Sequence, residues 1–277
     1  MVSLKSKTKG LLNRAIKEYN LTEEQLEAVL DQFKHPEFAS NIPVKHYWAD
    51  KHTKIGVLSD THIGSKFTDY SVLEDLMKRF KEANVDAVYH TGDVTEGYNR
   101  RKGHSFECEL HGADAQVDGV IERFPSIDKP IFFILGDHDH WHYESAGVDI
   151  GRIIDAGRPD MHSLGFFSAE VMLAPNIKID LEHPTKGTAY ALSYHPQKMI
   201  EAMSGGEKPN ILLIGHYHKV EQLFYRNIHA FQTGCIENQT PWMRRMNLSA
   251  HKAGWILDIF HGPNGIDRLD STLLPYY

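Results

Sequence analysis

The stretch KIGVLSDTHIG, residues 54–64, decides the fold class. An apolar run of strand length, Ile55 to Leu58, stops abruptly at Ser59, Asp60, Thr61 and His62. A short apolar run bounded by turn residues reads as a buried strand that presents side chains at its tip. The same grammar recurs downstream. DAVYHTGD closes on Asp93, PIFFILGDHD on Asp137 and His138, IKIDLEH on His183, and NILLIGHYH on His216 and His218. The helical stretches VLEDLMKRFKEANV and VDGVIERF separate the first of these runs. Strands joined by crossover helices imply an α/β protein with mixed sheets. Later runs, AYALSY, IHAFQTG and GWILDIF, are richer in strand than helix, so the second half is expected to contribute a second sheet.

Composition narrows the classes. The 277 residues, 41% of them hydrophobic, can bury a substantial core and are neither disordered nor fibrous. A formal charge of −7, from 30 Lys plus Arg against 37 Asp plus Glu, argues against a protein that coats polyanions, while leaving room for a local basic patch. The two cysteines, Cys108 and Cys235, form no CxxC pair, so neither a disulfide framework nor a thiolate zinc site is expected, and a reducing cytoplasm fits best. No segment approaches the ~20 apolar residues of a membrane span, and no membrane association is expected.

Residues 1–48 read as a separate helical segment, with residues 49–277 as the main domain. Leu4, Leu11, Leu12, Ala15 and Ile16, then Leu26, Val29, Leu30 and Phe33, recur at helical spacing, and Thr22 with Gln25 forms a capping-box signature between the two runs. Lys5, Lys7, Lys9, Arg14 and Lys17 against Glu18 give the first 20 residues a charge of 5 − 1 = +4. A solvated helical face accounts for that charge better than a phosphate contact, because aromatic residues are not interleaved with it.

The strand-terminal residues are of one chemical kind. Carboxylates mixed with imidazoles suit manganese, iron, zinc or similar divalent ions, and ligands at strand ends converge at one sheet edge. Each cluster alone has an ordinary reading: Asp60-Thr61-His62 as a turn and helix cap, Asp93 as a loop residue, His216 and His218 as surface imidazoles. Taken jointly and in order, they point to an open catalytic metal site.

In that order, DTH at 60–62, GD at 92–93, GDHD at 136–139, a lone His and GHYH at 215–218 resemble the motifs DxH, GD, GNH(D/E), His and GHxH of the calcineurin-like metallophosphoesterases. That superfamily includes protein phosphatases, repair nucleases and cyclic-nucleotide phosphodiesterases. The resemblance spans about residues 54–235. It implies a four-layer α/β/β/α sandwich of two mixed sheets. It also implies two divalent ions, manganese first, with iron, zinc or nickel compatible. One ion would take Asp60, His62, Asp93 and His218. The other would take Asp93, Asp137, the lone His and His216. Ions sharing Asp93 would sit ~3.5–4 Å apart and activate a water for in-line attack on phosphorus. His138 would donate a proton to the leaving oxygen, and Asp139 would orient the His138 ring.

Two features depart from the pattern or leave it open. Asp137 stands where family members usually carry Asn, which adds a negative charge that should bind a divalent ion more tightly and lower its Lewis acidity. The lone His is either His183, at the tip of IKIDLEH, or His195, after AYALSY, with His183 favoured. His90 reads as a packed core residue. His140 and His142 read as exposed loop residues, and Trp242 in TPWMRRMN as a core residue that could alternatively stack a base. The expected function is hydrolysis of a phosphodiester in nucleic acid or a nucleotide. The rivals are a phosphomonoesterase with a tighter pocket and a catalytically silent member that binds nucleic acid or a polymerase-like partner. Oligomeric state is not readable from the sequence.

Overall fold

The computed structural model describes residues 44–45 and 51–277, apart from Lys186, Thr188 and Glu207. The paired helices expected within residues 1–48 lie outside these residues. Val44–Lys45 is a short strand, β1, that pairs in parallel with residues 171–172, so one sheet draws an edge from before residue 49. In chain order the other elements are β2 (His52–Leu58), α1 (Tyr70–Glu82), β3 (Ala87–His90), α2 (Ala113–Arg123), β4 (Ile131–Leu135), α3 (Asp137–Ala146) and α4 (Ile150–Gly157). They continue with β5 (Met161–Phe166), β6 (Ser168–Ala174), β7 (Ile177–Glu182), α5 (Tyr194–Ala202), β8 (Ile211–Ile214), β9 (Val220–Tyr225), β10 (Ile228–Thr233), α6 (Pro241–Arg245), β11 (Ala253–Gly262) and β12 (Gly265–Pro275).

Two six-stranded sheets result, with strand orders β1-β6-β7-β8-β10-β9 and β12-β11-β2-β3-β4-β5. Each is mixed: β2, β3, β4 and β5 run parallel in one and β7, β8 and β10 in the other, with antiparallel pairs outside them. The side-chain period of two along a strand generates the layers. Phe132 and Ile134 of β4 meet Val171, Ile179, Leu213 and Phe231 between the sheets, whereas Ile131, Phe133 and Leu135 meet Leu73, Leu76 and Phe80 of α1 and Val117 and Val120 of α2. On the far side, Leu212 and Ile214 of β8 pack with Ile200 of α5. The central strands are therefore buried on both faces, which is why they read as unbroken apolar runs. The α/β/β/α sandwich expected from the resemblance is the observed architecture.

AYALSY, expected as strand, is turn leading into α5. The parallel pair β7 and β8 requires a crossover between them, and this segment with α5 supplies it. No helix among the described residues is long and apolar enough to cross a membrane.

Parallelism positions the functional residues. The C-terminal ends of β2, β3 and β4 share one edge of their sheet, and those of β7 and β8 share one edge of the other. Asp60 and His62, Asp93, Asp137, His183, and His216 and His218 follow these five ends directly. Away from that edge, Asp180 of β7 is buried beside Glu170 and Lys178, and burial, with Glu170 adding and Lys178 opposing, pushes its carboxyl up to about 7. The unfolded carboxyl titrates near ~3.9, so the fold favours the neutral acid, and that contribution is lost as pH rises from about 4 through about 7. Asp180→Asn should accordingly raise stability by on the order of 1–3 kcal/mol at pH 8, with a smaller gain at pH 5, as read from denaturant midpoints.

Candidate metal centre

The backbone brings the motif loops together before any side chain is considered. Asp60 N donates to Gly92 O (3.0 Å), His62 N to Asp93 O (3.1 Å) and Ile63 N to Val94 O (2.9 Å), which extends the β2–β3 pairing into the loops that carry the acids. His216 N donates to both carboxylate oxygens of Asp60 at 3.1 Å, and His138 N to Asp93 Oδ1 at 2.9 Å. The geometry comes with strain. Asp60 (φ 52°), His62 (47°), Asp93 (54°), His216 (73°) and His218 (52°) all occupy the left-handed region that non-glycine residues avoid. Such outliers persist only where surrounding structure over-determines them, and they cluster at functional sites.

Two groups of donors face each other. Asp60, His62 and His218 form one, and Asp93, Asp137, His183 and His216 the other, with the donor atoms of each group within 4.8 Å of one another. In the first, His218 Nε2 lies 3.2 Å from Asp60 Oδ1 and 3.1 Å from His62 Nε2. In the second, His183 Nε2 lies 3.1 Å from Asp137 Oδ1 and 3.2 Å from Asp93 Oδ2, and His216 Nδ1 lies 3.1 Å from Asp137 Oδ1. Asp93 Oδ2 is also 3.8 Å from His62 Nε2, so this carboxylate faces both groups. The structure therefore gathers Asp60, His62, Asp93, Asp137, His183, His216 and His218. It leaves His195 outside, its ring stacked on Tyr217 at 5.0 Å.

The donor set fits divalent cations on chemical grounds. His183 Nδ1 bonds to Thr91 O (2.7 Å) and must donate there, while His62 Nδ1 donates to Glu96 Oε2 (2.9 Å). In the neutral tautomers, both Nε2 lone pairs then point at carboxylate oxygens or another imidazole nitrogen. Lone pairs aimed at lone pairs repel; a proton or a cation between them converts that repulsion into attraction. The local field is strongly negative. Burial alone would lower His62, but the carboxylates of Glu237 and Glu96 outweigh it and raise it to about 10. Burial likewise opposes the charge of Asp93 at His183, which ends well above the ordinary imidazole value. Asp60 and Asp137 are held below the usual carboxylate range despite burial, Asp60 by the charge of His218 and Asp137 by hydrogen bonds from His183 and His216. Divalent ions would compete with these protons for the same lone pairs.

The supporting shell differs from expectation at Asp139. Its carboxylate accepts from Gly136 N (2.9 Å), Val94 N (3.0 Å), Thr95 N (2.7 Å) and Thr95 Oγ1 (2.7 Å), and none of these partners is the His138 ring. Asp139 is the third residue of α3, where orphan backbone amides of the helix start and of the Asp93 loop compete for an acceptor. It therefore pins the backbone that carries Asp93. The His138 ring is oriented by the backbone: Nδ1 donates to Glu96 O at 2.7 Å.

Glu96 and Glu237 were not singled out from the sequence as site residues. Glu96 is buried and bridges His62, through Oε2, to His104 Nε2, through Oε1 at 2.8 Å. His104 Nδ1 in turn accepts from Arg100 N at 3.3 Å, which ties the arginine-bearing loop to the cluster. Glu237, also buried, accepts from Ser65 Oγ at 2.8 Å, and burial and the neighbouring Glu96 charge raise its carboxyl. The spacing TGDVTE, with an acid three residues after Asp93, was the available signal for Glu96. His140 and His142, expected in an exposed loop, are buried on α3: His140 packs on Phe166 and Phe167, and His142 Nε2 meets Gln116 Oε1 at 3.1 Å. His90 is a core residue as expected, bonding Thr61 Oγ1 and Gly92 N.

The residues open onto a cleft of about 550 Å³ lined by His62, Asp93, Asp137, His138, His216 and His218 on one side. Residues 53–243 match the calcineurin-like phosphoesterase superfamily domain, and the chain belongs to that superfamily. The DNA polymerase II small subunit of Halobacterium salinarum is 22% identical over 266 positions, covering 81% of this chain and 50% of the relative. The manganese-dependent ADP-ribose/CDP-alcohol diphosphatase of Danio rerio is 23% identical over 210 positions, covering 69% of this chain and 60% of the relative. The chain thus spans between half and three-fifths of the length of these relatives. Among solved structures, a novel archaeal phosphodiesterase matches with a TM-score of 0.45 at 14% identity, over 80% of this chain and 99% of that one. The E. coli phosphoesterase Yfce matches with 0.41 at 16%, over 78% and 98%.

The glycine before Asp137 is dictated by this packing. A Cβ on Gly136 would collide with Asp93 Oδ1 and stand 2.6 Å from His183 Nε2. Gly136→Ala should therefore abolish whatever divalent-cation binding calorimetry records for the unaltered chain and destabilise the fold by about 1–3 kcal/mol. Gly205→Ala, where a Cβ meets nothing within 4 Å, should do neither.

Proposed function

We propose that this protein is a binuclear metal-dependent phosphoesterase that hydrolyses a phosphodiester of nucleic acid or a nucleotide. The observation that carries the reading is the pair of adjacent donor groups, with Asp93 a member of one and 3.8 Å from His62 of the other, beside an open cleft. Asp60, His62, His218 and Asp93 would hold one ion, and Asp93, Asp137, His183 and His216 the other. Such a pair supplies Lewis acidity toward a phosphoryl oxygen and an acidified water as nucleophile. Manganese is the first choice, in keeping with the name of the zebrafish relative.

The chain's own residues supply the rest. His138 lines the cleft, and with Nδ1 committed to Glu96 O its imidazolium form presents Nε2–H to the leaving oxygen. The Glu96 carboxylate lies 3.8 Å from His138 Nδ1, so the acid that holds His62 also borders this ring. Glu96 also fixes the His62 tautomer, so one buried acid orients a metal-ligand candidate and the proton donor together. The third carboxylate, Asp137, adds charge where the superfamily pattern has a neutral amide; it favours retention of the ion over maximal Lewis acidity. The diester preference rests on the breadth of the cleft and its arginine and tryptophan wall, which a small monoester does not need.

With manganese, bis-p-nitrophenyl phosphate should turn over faster than p-nitrophenyl phosphate; faster monoester cleavage would reject the diester reading. His138→Ala should lower kcat by roughly 10²–10⁴-fold while equilibrium dialysis still finds two manganese ions per chain. Loss of metal together with activity would show that His138 is structural.

A further inference from the structure

Beyond the donor cluster, the cleft lining includes Trp141, Trp242, Met243, Met246 and Leu248, with Arg100 and Arg101. Phosphoryl chemistry needs none of these apolar groups. Trp242 is half-buried, Met246 is 57% exposed, and neither belongs to the three hydrophobic clusters. That overturns the expectation of core packing for Trp242. Its placement is nonetheless firm. Trp242 sits in α6, whose start is fixed by Pro241 and by the Thr240 side chain accepting from Met243 N at 3.1 Å.

The tryptophan faces already accept planar partners. The Arg101 guanidinium, paired with Glu107 at 2.7 Å, lies over the Trp242 ring at 5.1 Å. Arg100, paired with Glu144 at 2.8 Å, lies over Trp141 at 5.9 Å, and the His138 ring lies 3.9 Å from that of Trp141. Half-buried indoles flanked by guanidinium groups, beside a phosphoryl-transfer site, are the elements of a platform on which bases stack without sequence preference. Adaptable thioethers such as Met243 and Met246 suit the edges of a flat ring.

We infer that Trp242, with Arg101 and Met246, forms a nucleobase subsite, so that the group next to the reacting phosphate is a nucleoside, bound by stacking. The inference deepens the proposed function and rests on its placement of the phosphate at the donor cluster. Trp242 and Arg101 are specificity-determining residues in this account, and the base is held by its π-face, which admits purines and pyrimidines alike.

The test is calorimetry on the full chain with manganese, using AMP, ribose 5-phosphate and inorganic phosphate as product-like probes. AMP should bind about tenfold tighter than ribose 5-phosphate, and Trp242→Ala should remove that difference while leaving ribose 5-phosphate and phosphate unchanged. Trp242→Phe should keep most of the AMP preference, which separates stacking from loss of the fold. Equal binding of AMP and ribose 5-phosphate by the unaltered protein, or an AMP preference that survives Trp242→Ala, would overturn the subsite. The manganese isotherm recorded before any probe is added reads the metal centre alone. Its absence would contradict the phosphoesterase reading, whereas a normal isotherm without AMP preference contradicts only the base subsite.

Discussion

Three carboxylates, Asp60, Asp93 and Asp137, are held near one another among imidazoles whose free lone pairs face the same space, with Glu96 and Glu237 buried just behind. So much negative charge in a water-poor place is destabilising unless positive charge is provided. Protons on His62, His183 and His218 are one provision; divalent cations are the other, and the open cleft gives them a route in. Several unusual local features coincide with these groups. Five site residues sit in left-handed backbone, and Gly136 leaves room for Asp93 and His183. Asp139 collects four donors to hold the loop bearing Asp93.

The cleft joins this charged floor to a wall of different character. Glu96 links the two, since it reaches His62 on one side and His104 on the other, and His104 receives the amide of Arg100. A change in the arginine-bearing loop would thus be felt at His62 through this chain of hydrogen bonds. The wall and the floor of the cleft are in this sense one construction. Carboxylates and imidazoles make the floor, and Trp141, Trp242 and the two arginines belong to the wall.

Much of this was legible in the sequence, for identifiable reasons. Central strands buried on both faces write themselves as apolar runs, and parallel strands present their ends together, so Asp60, Asp93, Asp137 and His216 could be placed at one edge from their position after such runs. His183 was preferred to His195 because it ends an alternating run, and β7 does end there. The failures share a cause as well. DHDHWHY looks like a polar loop, yet α3 begins at Asp137, and on a helix His140 and His142 turn inward. The bonds from Val94 and Thr95 to Asp139, the bridging role of Glu96 and the burial of Glu237 depend on contacts between separate segments of the chain, which no local pattern encodes. AYALSY has strand composition, but it lies in the crossover between the parallel strands β7 and β8, where it forms the turn into α5.

The central claim is that Asp93 stands between two cation sites. Diffraction from crystals grown with manganese, recorded at the manganese absorption edge, tests it most directly. Two anomalous peaks should appear, one bounded by Asp60, His62 and His218, the other by Asp137, His183 and His216, with the Asp93 carboxylate touching both. A single peak, or peaks that leave Asp93 unligated, would contradict the account.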